Sequence, residues 1–322
     1  MVFIIKYVDE LEELINNRKY IDNLRIPVGI KNINDLSQYL TNLTHLELQL
    51  WQNTFQDFSK FINLKYLKIY GHGYYNKSTD LSNCINLQHL VIELDIYNKP
   101  INLSNCVNLT YLEFNGYCYN KLTDLSNCIN LKYLKFDLYD YNRKTDFSSL
   151  FNLTHLDIKS NCYNKITDLS NCINLKYLYF GYEYNQLIDL SSLENLTHLE
   201  FGPKYNQPTN LSFLTNLQYL RFKGYYNHST DLSQLVNLTH LEFGNKYDQL
   251  TDLSKCIKLR CLKFKNDYKQ STDLSNLTDL KHLKFGLHYN QPTDLSQCKK
   301  LDKFNFQNKP NFILRKIDFL TF

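Results

Sequence analysis

The 322 residues contain no alanine at all. Alanine is welcome in most folds, so physics does not account for its loss. Beside abundant Asn, Lys and Ile it marks an AT-rich genome, which is a clue to source and not to function. No apolar run is long enough to span a bilayer, and the opening Met1-Val2-Phe3-Ile4-Ile5-Lys6 is too short for a signal peptide. A Gly-rich phosphate loop, a nucleophile elbow and the Cys-x-x-Cys spacing of a zinc site are all missing. An excess of one charge is missing too: 36 basic residues against 32 acidic ones leave +4, too little to argue for nucleic acid or membrane.

What is present is repetition. The pattern Asn-Leu-x-x-Leu-x-Phe restarts at Leu43, Leu64, Leu87, Leu109, Leu131, Leu153, Leu175, Leu196, Leu217, Leu238, Leu259, Leu280 and Leu301. The steps are 21, 23, 22 four times, then 21 six times. An earlier repeat, Ile21-Asp22-Asn23-Leu24-Arg25-Ile26, brings the number to fourteen. Apolar positions one, four and six, as in Leu196, Leu199 and Phe201, predict a short strand whose intervening residues point the other way. A loop ending in Tyr-Asn follows, and then Asp-Leu-Ser, whose Asp and Ser favour a capped turn. A single repeat cannot bury its own apolar edge, so the repeats must stack.

These patterns predict one domain with three parts: a cap over residues 1–20, a solenoid over 21–306, and a second cap over 307–322. With strands ~4.8 Å apart, fourteen of them line a concave arc of roughly 65 Å. About 21 residues per repeat leave room for only one or two helical turns, so irregular or 3₁₀ segments are expected on the convex side. Asp9-Glu10-Leu11-Glu12 reads as a capping box before a short helix in the first cap. Length varies only just after the strands: four residues from Phe201 to Tyr205, five from Phe136 to Tyr141, six from Ile69 to Tyr75. That rim is a second place to look for binding.

Leu-x-x-Leu-x-Phe at this period resembles the leucine-rich repeats over about Ile21 to Phe306. Phe-Gly-Pro-Lys-Tyr-Asn-Gln-Pro (201–208) and Phe-Gly-Leu-His-Tyr-Asn-Gln-Pro (285–292) are similar to a narrower class, the FNIP repeats of amoebae and their giant DNA viruses. FNIP repeats usually carry Phe-Asn where this chain has Tyr-Asn, and Leu-Pro where it has Asp-Leu-Ser. No F-box-like module stands in the first twenty residues. The resemblance implies a leucine-rich-repeat solenoid and a binding role, without naming a partner.

Six cysteines (84, 106, 128, 172, 256, 298) share a position that other repeats fill with Leu or Phe, so they read as core thiols rather than metal ligands. The Asn columns are expected to hydrogen-bond the neighbouring coil. The third position faces away from the core and reads His45, Tyr66, His89, Tyr111, Tyr133, His155, Tyr177, His198, Tyr219, His240, Cys261, His282, Lys303. It is either an aromatic ladder that only stabilises the sheet or a recognition strip, and the two are compatible. Its histidines lie at least two strands, ~9.6 Å, apart, too far to share a metal. At the fifth position signs alternate until Arg260, Lys263, Lys265, Lys281 and Lys284 gather into a basic patch. Alternating pairs there are expected to be worth little on an exposed face.

No unique Ser, His or Asp constellation stands apart from the repeating columns, so neither catalysis nor a cofactor is expected. The leading expectation is a scaffold that binds a protein partner on its concave face through Tyr111, Tyr133, His155, Tyr177, His198, Tyr219 and His240. A self-associating structural or particle-associated protein is the first alternative. The second is a nucleic-acid binder using tyrosine stacking and the patch of Arg260, Lys263, Lys281 and Lys284. The sequence speaks against a membrane partner, and a nucleic acid or small-molecule ligand is not the leading expectation. Nine cysteines without a secretion signal suggest a cytoplasmic, reducing location, the host cytoplasm were the source viral.

Overall fold

The computed structural model describes residues 3–4, 22–26, 40–50, 58–119, 121 and 123–306. The chain divides into two compact bodies, Met1–Tyr163 and Asn164–Phe322. Leu-x-Phe alternation puts every second side chain into the core, and each strand then lends its backbone edges to the coils on either side.

The strands of the N-terminal body are β1 (Phe3–Ile4), β2 (Asn23–Ile26), β3 (His45–Gln49), β4 (Tyr66–Tyr75), β5 (Thr79–Asp80), β6 (His89–Tyr97), β7 (Ile101–Asn102), β8 (Tyr111–Gly116), β9 (Cys118–Tyr119), β10 (Tyr133–Leu138) and β11 (His155–Ile158). β1, β2, β3, β4, β6, β8, β10 and β11 lie side by side, all parallel. β5 pairs with β7 in a separate two-stranded ladder, and β9 pairs with β6. The variable rim of this body is therefore partly strand: β4 runs ten residues and β6 nine. The C-terminal body holds β12 (Tyr177–Phe180), β13 (His198–Phe201), β14 (Tyr219–Phe222), β15 (His240–Phe243), β16 (Cys261–Phe264), β17 (His282–Phe285) and β18 (Lys303–Phe306). These pair parallel in sequence order with equivalent positions opposite, Leu199 with Leu220 and Phe201 with Phe222.

The anticipated fold class, a leucine-rich-repeat solenoid with irregular or 3₁₀ segments on its convex side, needs correction. The described residues form a parallel β-solenoid with no α-helix and no 3₁₀ segment among them. Hydrogen bonds explain why. Asp231 Oδ1 accepts from the Ser233 N–H at 2.9 Å; Leu235 N–H then donates to Leu232 O at 2.9 Å, and Leu238 N–H to Leu235 O at 3.0 Å. The two i→i+3 bonds fall three residues apart and share one corner residue, so each closes a separate turn and none propagates. Asn237 Nδ2 donates to Thr215 O of the preceding coil at 2.9 Å, the role expected of that Asn column. The two caps and the helix at Asp9 lie outside the described residues, apart from β1.

In a typical described coil the core is three strand-side residues, two turn residues (leucine, with cysteine or phenylalanine in some coils) and a tyrosine. Leu196, Leu199, Phe201 and Tyr205 are all completely buried. Each leucine so buried contributes about 1.5–3 kcal/mol relative to an exposed one. The six column cysteines are buried among them, and burial pushes the thiols of Cys106, Cys128, Cys172 and Cys256 up to about 12.

Candidate functional site

The third-position side chains stand on the sheet face opposite this core. In the N-terminal body the rings run His45, Tyr66, His89, Tyr111, Tyr133, His155, with centroids 5.9, 4.9, 3.9, 4.5 and 5.7 Å apart. In the C-terminal body Tyr177, His198, Tyr219 and His240 follow one another at 5.9, 5.7 and 5.9 Å. Tyr111, Tyr133, Tyr177, His198 and Tyr219 are half-buried, whereas His155 and His240 are exposed. The column is thus a ladder of rings, stacked in the N-terminal body and partly tilted in the C-terminal one, that also leaves ring edges at the surface.

Four of its histidines are aligned by the residue before them. Thr197 Oγ1 donates to Lys176 O at 2.9 Å, which spends its one proton; its 2.9 Å contact with His198 must therefore be donated by the imidazole Nδ1–H. The pairs Thr44–His45, Thr154–His155 and Thr239–His240 repeat this arrangement. In the neutral ring Nε2 is then the acceptor. Burial holds His198 and His89 below the ordinary value of 6.5; His240 is lowered by burial and then by the charges of Lys263 and Arg260. Among the described residues no group of three or more His, Cys, Asp or Glu is placed to hold a metal ion.

The fifth-position charges are less exposed than the sequence suggested. Glu200 and Glu242 show only 14% and 12% of their side-chain surface. Arg221 lies between them, 3.7 Å from Glu200 and 3.1 Å from Glu242, and Lys223 pairs with Glu200 while its Nζ sits 4.9 Å from the Tyr179 ring. Burial alone raises the Glu242 carboxyl, but the Lys265 hydrogen bond with the charges of Arg221, Lys265 and Lys263 wins, and the net shift is downward. Glu113 does the same in the other body, accepting from Tyr111, from Asn115 at 2.9 Å and from Lys135 at 2.8 Å. Within the expected basic patch, Lys263 reaches Glu242 at 3.7 Å, Arg260 and Lys281 are exposed, and Lys284 is half-buried.

Sequence reasoning missed the tyrosines at the end of the rim loop. They are core: Tyr205, Tyr226, Tyr247 and Tyr268 are completely buried, each 3.7–3.8 Å from the Phe of its own strand. Each hydroxyl is paired with the threonine four residues on, as in Tyr226–Thr230 at 2.9 Å and Tyr268–Thr272 at 2.7 Å. The recurring Tyr-x-x-x-Thr was the available signal. Other tyrosines occupy the rim itself, where Tyr117 stacks on Tyr139 at 4.8 Å, and Lys204 Nζ lies 6.0 Å from the Tyr182 ring and 5.6 Å from that of Tyr225.

No family model and no curated protein matches the sequence. Solved structures do match the fold. The functional domain of InlJ from Listeria monocytogenes, which includes a cysteine ladder, superposes with a TM-score of 0.63 at 22% identity over 89% of this chain and 62% of that one. An internalin (inlF) from the same species gives 0.59 at 24% identity, covering 84% and 83%. The LRR protein LIC12759 of Leptospira interrogans gives 0.50 at 16%, covering 90% and 95%. At such identities the likeness shows the fold: a solenoid repeat protein structurally related to leucine-rich-repeat proteins. Among the described residues no helix is long and apolar enough to cross a membrane.

Proposed function

We propose that the chain is a scaffold that binds a protein partner on the strand face, through Tyr111, Tyr133 and His155 in one body and Tyr177, His198, Tyr219 and His240 in the other. The observation that carries this reading is the ring column itself. In each body its rings follow one another in close contact, yet keep edges at the surface of a sheet whose other face is sealed. Rings already held in place lose little conformational freedom on binding, and Tyr is enriched where partners contribute most binding energy. The alternation of phenol hydroxyls with imidazole acceptors supplies polar specificity along an apolar strip. A cytoplasmic setting and kinship with the FNIP repeats belong to the same proposal, the first resting on six column cysteines buried as core side chains and the second on the motifs at 201–208 and 285–292.

The test is affinity capture from the native host cell, identification of the partner, and titration against the wild type, Tyr177→Ala and Tyr219→Ala. Each substitution is expected to weaken binding by about 1–3 kcal/mol with circular dichroism unaltered. Unchanged affinity in both would move the site to the rim tyrosines.

A further inference from the structure

Three columns depart from their rule together at β16 and β17. At the third position Cys261 replaces a ring, so the ladder skips one strand between His240 and His282, whose backbones stand ~9.6 Å apart. At the fifth position the alternation Glu200, Arg221, Glu242, Lys263 ends in Lys284, and register places Lys263 directly opposite Lys284. Like charges facing across strands are destabilising unless something offsets them. At the second position Lys281 stands where the other four aligned histidines have threonine, and the buried Nδ1 of His282 has no hydrogen-bond partner among the described residues.

The result is a concavity of about 300 Å³ lined by Cys261, Lys263, His282, Lys284, Lys303 and neighbours. Of its three lysines only Lys263 has an ion pair among the described residues, at 3.7 Å to Glu242, and that carboxylate is already taken by Arg221 at 3.1 Å and Lys265 at 2.9 Å. The cavity therefore carries uncompensated positive charge. One strand away His240 is lowered by burial first, and then by the charges of Lys263 and Arg260.

We propose that this concavity is a binding site for a phosphate group, held by Lys263, Lys284 and Lys303 with His282 beside them. Three ammonium groups from three successive strands suit a compact anion of charge about −1.5 to −2 with several acceptor oxygens. Lysine holds phosphate as a point charge without needing the fork of an arginine, and no arginine lines the cavity; acetate is the carboxylate control. The phosphate could be free or carried on a phosphorylated side chain, and the site stands whether or not the ring column binds a partner.

The test is calorimetric titration of the full chain with inorganic phosphate and, separately, with a short phosphoserine peptide and its unphosphorylated form, with acetate at equal ionic strength as control. Saturable one-to-one binding is expected. Lys284→Gln should weaken it roughly tenfold or more, as loss of one charge-assisted hydrogen bond does. Cys261→Tyr, which returns the ring that neighbouring strands carry and so fills the gap, should abolish binding while raising the thermal midpoint or leaving it unchanged. Tighter binding of the phosphopeptide assigns the site to phosphorylated partners; equal or weaker binding assigns it to free phosphate. No saturation with either ligand, affinity equal to that for acetate, or affinity unchanged in both variants overturns the proposal.

Discussion

A residue in this protein is worth what its column makes it. Leu178 is completely buried beneath its strand, so Leu178→Ala should cost roughly 2–5 kcal/mol through the cavity it leaves, read from the urea midpoint. Cys172 is equally buried with its thiol pushed up to about 12, so thiol reagents should label it slowly in the native protein. Fast native labelling would contradict the placement of Cys172 in the core. Tyr226 separates two contributions. Tyr226→Phe keeps the ring stack and loses only the bond to Thr230, about 1 kcal/mol, whereas Tyr226→Ala removes the ring at about 3–5 kcal/mol. Gly224 has φ +66°, and a Cβ built there would come within 2.3 Å of Pro203 O, so Gly224→Ala should lower the melting temperature although it adds only one methyl group.

At the scale of the element, the strands were readable and the turns were not. Leu, Leu and Phe at positions one, four and six announce a strand because period two is the only spacing that puts the last two inside together, and every such strand was found where expected. The turn segment read as 3₁₀ or irregular because Asp-Leu-Ser and its downstream leucine leave room for it. What decides otherwise is the neighbouring coil, whose Asn takes a turn carbonyl, and a contact to a residue about 22 positions away is invisible to local propensity. The ring column was legible as a column, but its Thr–His alignment was not, since the threonine looks like an ordinary strand residue. The partial burial of His198 and His240 has a pH consequence. A histidine lowered in the fold contributes stability above its unfolded value of 6.5, and that stability is lost as pH falls through the lowered value. Urea midpoints should therefore drop between about pH 7.5 and 5, and less so in His198→Phe with His240→Phe, where the rings remain but cannot charge. A drop as large in the double variant would place the titration elsewhere.

At the scale of the whole molecule, sequence identity between coils matters more than any single site. Most described coils present similar donors and acceptors to the next, so a functional reading has to come from the columns and from where they change. The ring column supplies one such reading and the gap at Cys261 the other. Light scattering on the purified chain bears on the self-associating alternative: a monomer at micromolar concentration is the expected result, and a concentration-dependent rise in mass would favour assembly with copies of itself.

The core leucines and the shared-corner turns of the C-terminal body recur at a constant step of 21 residues. Chain length there is consequently quantised. Excising residues 220–240 joins Tyr219 to Leu241 with every column still in phase, and the shortened protein should fold with one coil fewer and a cooperative, modestly less stable transition. Excising one residue less shifts all following leucines out of the core, as a misplaced tooth stops a rack. A genome that lengthens or trims such a gene by whole periods changes reach without redesigning the interior, whereas any other indel is a lesion.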